Sequence, residues 1–336
     1  MEKDMTENPK LTKKDFMSDQ EVKWCPGCGD YAILSAAQLA MSKIGVPPHQ
    51  VCVISGIGCS SRFPYYVNSF GMHSIHGRAP AVASGVKLQN PDLSVWIVTG
   101  DGDGLSIGGN HLAHILRRNL DVNILLFNNE IYGLTKGQYS PTSQPGLKTK
   151  STPYGSLDRS FTPAKFAMGA GATFFARTID TDPKHMIEVF QQANAHKGTS
   201  LIEIYQNCII FNDKVHDDYT NRLTRDDFTV RLEEGKTMIF GKDKDKGLVQ
   251  DGFGFKEVPV AGNEDNLFIH DPTDENLSQI LTNLNGTNGP IPLGVIRRIE
   301  TNSYDEDFNA QIQDVVDSKG KGSMKDLLRS GNTWEV

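Results

Sequence analysis

The feature that most constrains this chain is an alternation of short apolar runs with stretches of helical character. Runs rich in β-branched residues occupy residues 51–55, 93–99, 122–127, 172–178 and 201–205. A helix-like stretch at residues 31–44 precedes the first run, and another at residues 183–197 lies between the last two. Asp182 and Pro183 give this second stretch a start signal typical of a helix. Because strands that alternate with helices form parallel sheets covered on both faces, the sequence predicts an α/β fold with a doubly wound, mostly parallel sheet.

The chain divides by composition into three parts. Residues 1–20 are charged throughout and have no apolar centre, which is typical of a terminal arm. Residues 21–213 contain all of the apolar runs and predict one domain. Beyond this domain the periodic signals weaken, and residues 282–289 are rich in Asn, Gly and Thr. We therefore expect residues 214–336 to form an irregular C-terminal extension.

Charge and hydropathy exclude several functions. The formal net charge of −7 argues against a nucleic-acid partner held by phosphate neutralisation. No apolar stretch approaches the roughly 20 residues needed to cross a bilayer, and residues 1–20 do not resemble a secretory signal. We therefore expect a cytoplasmic protein without a membrane partner. In that compartment its five cysteines should stay reduced and be available for metal or redox chemistry.

Two polar turns follow neighbouring apolar runs. Gly-Asp-Gly-Asp-Gly occupies residues 100–104, and Asn-Asn-Glu-Ile-Tyr-Gly occupies residues 128–133. A right-handed crossover brings both turns to the carboxyl edge of the sheet, where open α/β sheets bind ligands. Glycines there let the backbone approach phosphates, and the oxygens of Asp101, Asn129 and a backbone carbonyl suit Mg²⁺. Gly-Asp-Gly alone is more often a tight turn, but the pair of turns predicts a site for a diphosphate and a metal ion.

Four cysteines converge on the same edge of the predicted sheet. Cys25 and Cys28 form a Cys-x-x-Cys turn before the first helix, Cys59 follows the first run, and Cys208 follows the last. Cys-x-x-Cys by itself is compatible with zinc, an iron–sulfur cluster or a redox dithiol. Cys52 lies inside a run, where a buried and inert thiol is the usual outcome. The spacing therefore predicts a shared metal centre and leaves its identity open.

These motifs occur together, and in the same order, in a known family. They are WCPGCGD (24–30), GIGCSSR (56–62), GDGDG (100–104), NNEIYGLTKGQ (128–138) and QNC (206–208). From about residue 22 to residue 213 the sequence closely resembles the beta subunits of 2-oxoacid:ferredoxin oxidoreductases, which bind thiamine diphosphate. A looser resemblance continues over residues 235–251. The resemblance implies the thiamine-diphosphate-binding fold.

The resemblance also implies three cofactors, namely thiamine diphosphate, Mg²⁺ and a [4Fe-4S] cluster. The cluster ligands that it implies are Cys25, Cys28, Cys59 and Cys208. The magnesium ligands that it implies are the side chains of Asp101 and Asn129 and the carbonyl of Ile131. The residues that it places around thiamine diphosphate are Ile57, Gly58, Cys59, Ser60, His76, Gly102, Asp103, Gly133, Leu134 and Thr135.

The implied activity is the coenzyme A-dependent oxidative decarboxylation of a 2-oxo acid, with electrons passed through the cluster to ferredoxin. Arg62 and Lys136 are the candidate cations for the substrate carboxylates. His76 is the candidate for proton handling or hydrogen bonding near the reacting carbon. Residues 133–143 look most like the 2-oxoglutarate branch of the family, so 2-oxoglutarate is the expected substrate.

The resemblance further implies partner proteins. Thiamine catalysis ordinarily needs a second module that supplies a carboxylate to the aminopyrimidine, and this sequence contains a single cofactor module. We therefore expect an alpha subunit as partner and no activity without it. If ferredoxin docks on the acidic C-terminal third, its candidate contacts are Lys242, Lys244 and Lys246.

Three alternatives stay open at this point. The first is a pyruvate-type enzyme of the same family. The second is a thiamine-dependent decarboxylase or carboligase without redox chemistry, which would need both cofactor halves in one chain. The third is a non-catalytic subunit in which zinc staples the four thiols.

Overall fold

Eleven strands form one continuous sheet in the computed structural model, which describes residues 11–334. The strand order across this sheet is β12-β11-β10-β9-β13-β7-β8-β4-β3-β1-β2, and β5 pairs with β6 outside it. The strands are β1 (Val51–Ser55), β2 (Phe70–His73), β3 (Ser94–Gly100), β4 (Asn123–Asn128), β5 (Ile131–Tyr132), β6 (Gln138–Tyr139), β7 (Phe174–Ile179), β8 (Ser200–Tyr205), β9 (Thr229–Arg231), β10 (Ile239–Phe240), β11 (Lys246–Asp251), β12 (Gly254–Pro259) and β13 (Ile291–Arg298).

The helices cover both faces of this sheet. They are α1 (Asp30–Ile44), α2 (Ala79–Gln89), α3 (Asp101–Leu105), α4 (Gly109–Arg118), α5 (Pro163–Gly169), α6 (Pro183–Ala195), α7 (Asp217–Thr220), α8 (Arg225–Phe228), α9 (Glu275–Leu281), α10 (Tyr304–Lys319) and α11 (Met324–Leu328). Short 3₁₀ turns occur at Lys13–Phe16, Pro48–Gln50, Ser60–Tyr65 and Glu264–Asn266.

Six neighbouring strands, from β7 through β8, β4, β3 and β1 to β2, run parallel to one another. Alternate residues of these strands face opposite layers, as the period of two in a strand requires. Along β1, Val51 and Val53 pack with helices α1 and α6, whereas Cys52 and Ile54 pack with α2, α4 and α5. The five apolar runs of the sequence are β1, β3, β4, β7 and β8, and Asp182 caps α6 as its start signal indicated.

The structure differs from the sequence interpretation in the C-terminal third. Residues 214–334 are not irregular, because they supply strands β9 to β13 of the main sheet. β13 lies between β9 and β7 and pairs antiparallel with β7, so the C-terminal part continues the sheet of the N-terminal part. Short strands of two or three residues, such as β9 and β10, have too few positions to show a period in sequence.

The described part of the N-terminal arm packs against the body. Phe16 is fully buried in the layer that contains α1, and the Lys13 ammonium group donates a hydrogen bond to the Ser35 hydroxyl at 2.7 Å. Residues 1–10 of the predicted arm, together with residues 335–336, lie outside the described residues. Among residues 11–334, no helix is long and apolar enough to cross a bilayer.

Candidate active site at the carboxyl edge of the sheet

A cavity of about 310 Å³, here called the cofactor cavity, opens at the carboxyl edge where β1, β3 and β4 end. Every residue that the sequence predicted around thiamine diphosphate or Mg²⁺ lines it. These residues are Ile57, Gly58, Cys59, Ser60, His76, Asp101, Gly102, Asp103, Asn129, Ile131, Gly133, Leu134 and Thr135. The structure therefore brings together, in one cavity, loops that are far apart in the sequence.

Asp101 begins α3 directly after β3 and is buried at the cavity wall. The hydroxyls of Ser140 and Thr142 both donate hydrogen bonds to its Oδ2 atom at 2.5 Å. Burial raises the pKa of Asp101 to about 6, although the two hydroxyls act in the opposite direction. A buried carboxylate with a raised pKa favours a bound cation, so Asp101 suits a role as metal ligand.

Asn128 ends β4 and Asn129 follows it, and the two asparagines have different partners, which explains why the second faces the cavity. Asn128 is buried, and its amide nitrogen donates to Glu203 at 2.8 Å. The Asn129 amide nitrogen donates to Oε1 of Gln206 at 2.7 Å. Its Oδ1 atom accepts the backbone N–H of Ile131 at 3.2 Å, which closes a turn. An amide oxygen, a carboxylate and a carbonyl are thus available together, and this donor set fits Mg²⁺.

Asp103 lines the cofactor cavity and also holds several protein groups by hydrogen bonds. Its Oδ1 atom accepts hydrogen bonds from the backbone N–H of Ile57 at 3.1 Å and of Gly77 at 2.8 Å. The same atom lies 2.8 Å from Nδ1 of His76, and Oδ2 accepts the Thr99 hydroxyl at 2.7 Å. Both carboxylate oxygens are therefore engaged with protein. These hydrogen bonds fix the loops around the cavity that Asp103 lines.

Two glycines give the cavity its shape. A Cβ atom on Gly102 would lie 2.2 Å from the ring of Tyr132, whose hydroxyl donates to the Gly102 carbonyl at 2.9 Å. Gly58 has a φ of +141°, a conformation that favours glycine, and the space beside it is open. The first glycine permits close packing of the wall, and the second leaves room for a ligand.

A second cavity of about 230 Å³, here called the thiol cavity, is lined by Cys25, Cys28, Cys59 and Cys208. The two cavities share Cys59, Asn129, Gly133 and Leu134 as wall residues. A Cβ atom on Gly133 would lie 3.4 Å from Sγ of Cys208 and 3.7 Å from Sγ of Cys59. The four thiols of this cavity come from three distant segments, and those of Cys59 and Cys208 lie beside Gly133, which lines both cavities.

Within residues 11–334 the four thiols do not form a single-ion site. A tetrahedral zinc site would hold all four sulfur atoms about 2.3 Å from one point. Among residues 11–334, no three His, Cys, Asp or Glu side chains are grouped closely enough to hold a single metal ion. An iron–sulfur cluster binds each cysteine to a different iron atom, so it accommodates more widely spaced thiols around a cavity.

Burial controls the protonation of these thiols. It raises the pKa values of Cys28 and Cys208, and it raises the pKa of Cys59 to about 12. The charge of Asp30 acts in the same direction on all three. Thiolates that are costly in the empty protein become favourable once a metal supplies positive charge. Cys52, in contrast, is buried within β1, away from the cavity, as the sequence predicted.

The structure places the two candidate substrate cations on the wall of the thiol cavity. Arg62 and Lys136 both line it, and neither lines the cofactor cavity. The Arg62 Nε atom donates to the Tyr66 hydroxyl at 3.0 Å. His76 does line the cofactor cavity, and its contact with Asp103 engages Nδ1, so Nε2 is the ring nitrogen that stays available.

The lysines proposed as docking contacts lie elsewhere. Lys242 and Lys244 belong to the turn between β10 and β11, and Lys246 begins β11. β10 is four strand positions from β8, which corresponds to about 19 Å across the sheet. This turn is therefore remote from the thiol cavity at the end of β8.

Sequence reasoning missed several residues of the site. Gln206, Tyr132, Ser140 and Thr142 make the contacts described above, and the buried Asp30 lines the thiol cavity. Oδ2 of Asp30 is buried without a hydrogen-bond partner, and burial raises the pKa of this carboxyl to about 7. The hydroxyl-rich segment at residues 140–143 was the one available signal, since it follows the diphosphate motif.

A parallel sheet with a ligand-sized cavity at its carboxyl edge is the arrangement of an α/β protein that binds its ligand there. The sequence profile of the family described as "Thiamine pyrophosphate enzyme, C-terminal TPP binding domain" matches residues 54–204. These residues include the end of β1, strands β2 to β4, α3 and the whole lining of the cofactor cavity.

Relatives define the family more narrowly. The "2-oxoglutarate oxidoreductase subunit KorB" of Mycobacterium tuberculosis is 46% identical over 329 residues, which cover 96% of this chain and 88% of that protein. The "2-oxoacid:ferredoxin oxidoreductase 1, subunit beta" of Aeropyrum pernix is 47% identical over 56% of this chain and 60% of that protein. This chain belongs to the beta-subunit family of the 2-oxoacid:ferredoxin oxidoreductases.

A solved structure supports the same assignment. It is described as "2-oxoglutarate:ferredoxin oxidoreductase from Magnetococcus marinus with 2-oxoglutarate, coenzyme A and succinyl-CoA bound". One of its chains superposes with a TM-score of 0.79 at 32% identity and covers 97% of each chain. The predicted family, its 2-oxoglutarate branch, the α/β fold class and the enzymatic nature of the chain are thereby confirmed.

Proposed function

We propose that this chain is the beta subunit of a 2-oxoglutarate:ferredoxin oxidoreductase. In the proposed reaction, 2-oxoglutarate loses CO₂ and two electrons, its acyl group is transferred to coenzyme A, and two ferredoxins each accept one electron. The names of the relatives and the ligands of the solved Magnetococcus structure support this substrate pair.

The observation that carries the proposal is the wall shared by the two cavities. Electrons that leave a substrate in the cofactor cavity need an acceptor within a short distance. Asn129, Gly133 and Leu134 line both cavities, and so does Cys59, which is one of the four thiols. A cluster held by Cys25, Cys28, Cys59 and Cys208 would therefore lie directly beside the substrate.

In the proposed site, Asp101, Asn129 and the Ile131 carbonyl hold Mg²⁺, and the glycines around them accommodate the diphosphate. When bound, thiamine diphosphate supplies the electron sink for decarboxylation. Ser140 and Thr142 hold the Asp101 carboxylate in place, and Asp103 fixes the loops that carry Ile57 and His76. These hydrogen bonds support a cavity that is formed before the cofactor binds.

Arg62 and Lys136 are proposed to attract the two carboxylates of the substrate from the thiol-cavity side. Their positions beside the shared wall support this role, since Gly133 and Leu134, which line the same cavity as the two cations, also line the cofactor cavity. His76 is proposed to hold or move a proton at Nε2, because its Nδ1 atom is fixed by Asp103.

Ferredoxin is proposed to dock near Cys25 rather than at the lysines of the β10–β11 turn. Cys25 is exposed, so a cluster bound there would lie close to the protein surface. The exposed side chains of Ile209, Ile210 and Phe211 adjoin Cys208 in sequence and line the same cavity. A short path from the cluster to this surface suits electron transfer.

The proposal requires an alpha subunit that supplies the second cofactor module. The beta-subunit names of the relatives support this partner. A cytoplasmic location is also proposed, because a reducing compartment keeps the four thiols available for the cluster.

The proposal is tested by co-expressing this chain with its alpha subunit, purifying the complex without oxygen, and measuring iron and acid-labile sulfide. We expect sulfide to be present, and we expect reduction of a low-potential dye that depends on both 2-oxoglutarate and coenzyme A. Pyruvate serves as the control substrate. Zinc without sulfide, or equal rates without coenzyme A, would contradict the proposal.

A further inference from the structure

The Gln206 side chain contacts one residue that lines the cofactor cavity, Asn129, and one that lines only the thiol cavity, Cys28. It follows β8 directly, is 1% exposed, and lies on the wall of the thiol cavity between Cys28 and Asn129. Its Oε1 atom accepts the Asn129 amide at 2.7 Å, and its Nε2 atom lies 3.2 Å from Sγ of Cys28. One amide group therefore connects a residue proposed to hold Mg²⁺ with a residue proposed to hold the cluster.

The contact at Oε1 determines which end of the Asn129 amide is free. Because Gln206 accepts a hydrogen bond from Nδ2, the Oδ1 atom of Asn129 must point the other way, toward the turn that contains Ile131. A metal ion needs this oxygen as a ligand, and an inverted amide would present a donor instead. Gln206 therefore selects the amide orientation that a metal requires.

The contact at Nε2 affects the sulfur of Cys28. An N–H donor near a cluster thiolate stabilises its negative charge, which favours the reduced cluster and raises its potential. Nε2 also donates to the Asn207 carbonyl at 2.7 Å, so its two hydrogens have two different acceptors. The amide is thus fixed at three points and cannot rotate without losing a hydrogen bond.

The backbone around Cys28 is shaped to admit Gln206. Gly29 follows Cys28, and a Cβ atom there would lie 3.0 Å from Cγ of Gln206 and 2.0 Å from Oδ2 of Asp180. The Gly29 N–H also donates to the Asn207 carbonyl at 3.2 Å. Only glycine at position 29 allows the Cys-x-x-Cys turn to approach the end of β8 so closely.

We infer that Gln206 is a positioning residue that couples the two cofactors, orienting Asn129 toward the metal and tuning the potential of the cluster through Cys28. This inference rests on the proposed function, because it requires the cluster and Mg²⁺ in the two cavities. It goes beyond that function by assigning a measurable connection between them to one side chain.

Two substitutions separate the contacts, and both are measured in the complete complex with the alpha subunit. Gln206→Met removes both contacts without adding charge. Gln206→Glu keeps an oxygen that can accept the Asn129 amide but removes the N–H donor to Cys28. Gln38→Met is the matched control, since Gln38 is also a buried glutamine, its amide donates to the Tyr66 carbonyl at 3.0 Å, and that hydrogen bond involves neither cofactor residue.

The two readouts are the midpoint potential of the cluster, followed by electron paramagnetic resonance, and the Mg²⁺-dependent affinity for thiamine diphosphate. For Gln206→Met we expect a potential lower by about 59 mV, which is a tenfold change in the one-electron equilibrium. We also expect its thiamine diphosphate affinity to fall by about tenfold, as is usual when a residue behind a metal ligand is removed. Gln206→Glu should lower the potential and leave the affinity near that of the wild type, and Gln38→Met should change neither.

The inference is overturned if Gln206→Met retains the wild-type potential or the wild-type thiamine diphosphate affinity while its sulfide content is complete. If Gln206→Met does not assemble a cluster, Gln206→Glu decides, because an unchanged potential in that variant also overturns the inference. Failure of the proposed function is a separate result, since wild-type complex without acid-labile sulfide would remove the basis of both.

Discussion

The cofactor cavity and the thiol cavity share a wall but are built differently. In the cofactor cavity the acidic side chains have protein partners: Asp101 accepts two hydroxyls, and Asp103 contacts four donor groups. In the thiol cavity, Oδ2 of the buried Asp30 has no hydrogen-bond partner, and burial raises the pKa values of Cys28, Cys59 and Cys208.

This difference indicates how each cavity acquires its ligand. The cofactor cavity has its shape and hydrogen bonds in place, so binding there needs little rearrangement. In the thiol cavity, burial disfavours thiolates, and a bound metal would offset this cost. Substitutions should therefore affect the two cavities separately, with the exception of residues such as Gln206, which contacts both Asn129 and Cys28.

The largest effect is expected from Cys208→Ala. Because this thiol closes the cavity from the end of β8, its loss should remove most of the iron and sulfide from the complex and abolish dye reduction. Cys52→Ala is the control, since Cys52 is buried in the sheet layer that contains α2 and α4. Iron analysis of both variants checks the prediction, and similar losses in the two would show that Cys208 is not a ligand.

The second largest effect is expected from Asp101→Ala in the cofactor cavity. Removing the only carboxylate of the proposed metal-binding group should weaken Mg²⁺-dependent thiamine diphosphate binding by at least about 100-fold, because changes behind a ligand alone cost 10–100-fold. The visible spectrum of the cluster should stay as in the wild type. Binding is measured by titration calorimetry, and wild-type affinity would contradict the assignment of Asp101.

A smaller effect, on the pH dependence of folding stability, is expected from His216, which contacts Asn128 at the end of β4. His216 is buried, stacks on Tyr205 and lies 3.1 Å from the Asn128 carbonyl, and burial lowers its pKa to about 4. Below pH 6.5 the unfolded chain binds a proton at this residue more readily than the folded chain. The folded state should therefore lose about 2 kcal/mol from this group between pH 7.5 and pH 5.

His216→Phe removes this dependence while keeping an aromatic ring against Tyr205. Urea unfolding of this chain at both pH values should show that the variant loses about 2 kcal/mol less stability than the wild type. His196 is a second buried histidine for comparison with His216. Burial also lowers the pKa of His196 to about 4, but its neighbours are Thr173 and Phe174. Equal losses in the wild type and in His216→Phe would mean that His216 titrates normally.

The sequence predicted the strands that appear as local apolar runs, and it predicted the site residues that directly follow those strands. β1, β3, β4, β7 and β8 are buried on both faces, so each appears as a continuous apolar run. Parallel strands end at one edge, and this rule alone predicted that Asp101 and Asn129 would meet. β2 was missed because three of its four residues are exposed at the edge of the sheet.

Other features depend on partners that are distant in sequence. β13 contains Pro292 and Gly294, which usually argue against a central strand. The position of β13 within the sheet depends on close packing, since a Cβ atom on Gly294 would lie 2.7 Å from the Leu232 carbonyl oxygen. Asp103 reaches Ile57 and Gln206 reaches Cys28 across long separations, and no local pattern reveals such contacts.

The position of β13 has a consequence for biosynthesis. β7 pairs with β13 on one side, yet roughly 110 residues must be translated after β7 before the ribosome reaches β13. At ordinary elongation rates this takes about 5 to 20 seconds, during which that edge of β7 has no permanent neighbour. Unpaired strand edges can pair with other chains, so the nascent polypeptide is prone to aggregate during this time. Chaperones are suited to protect it until β13 is made.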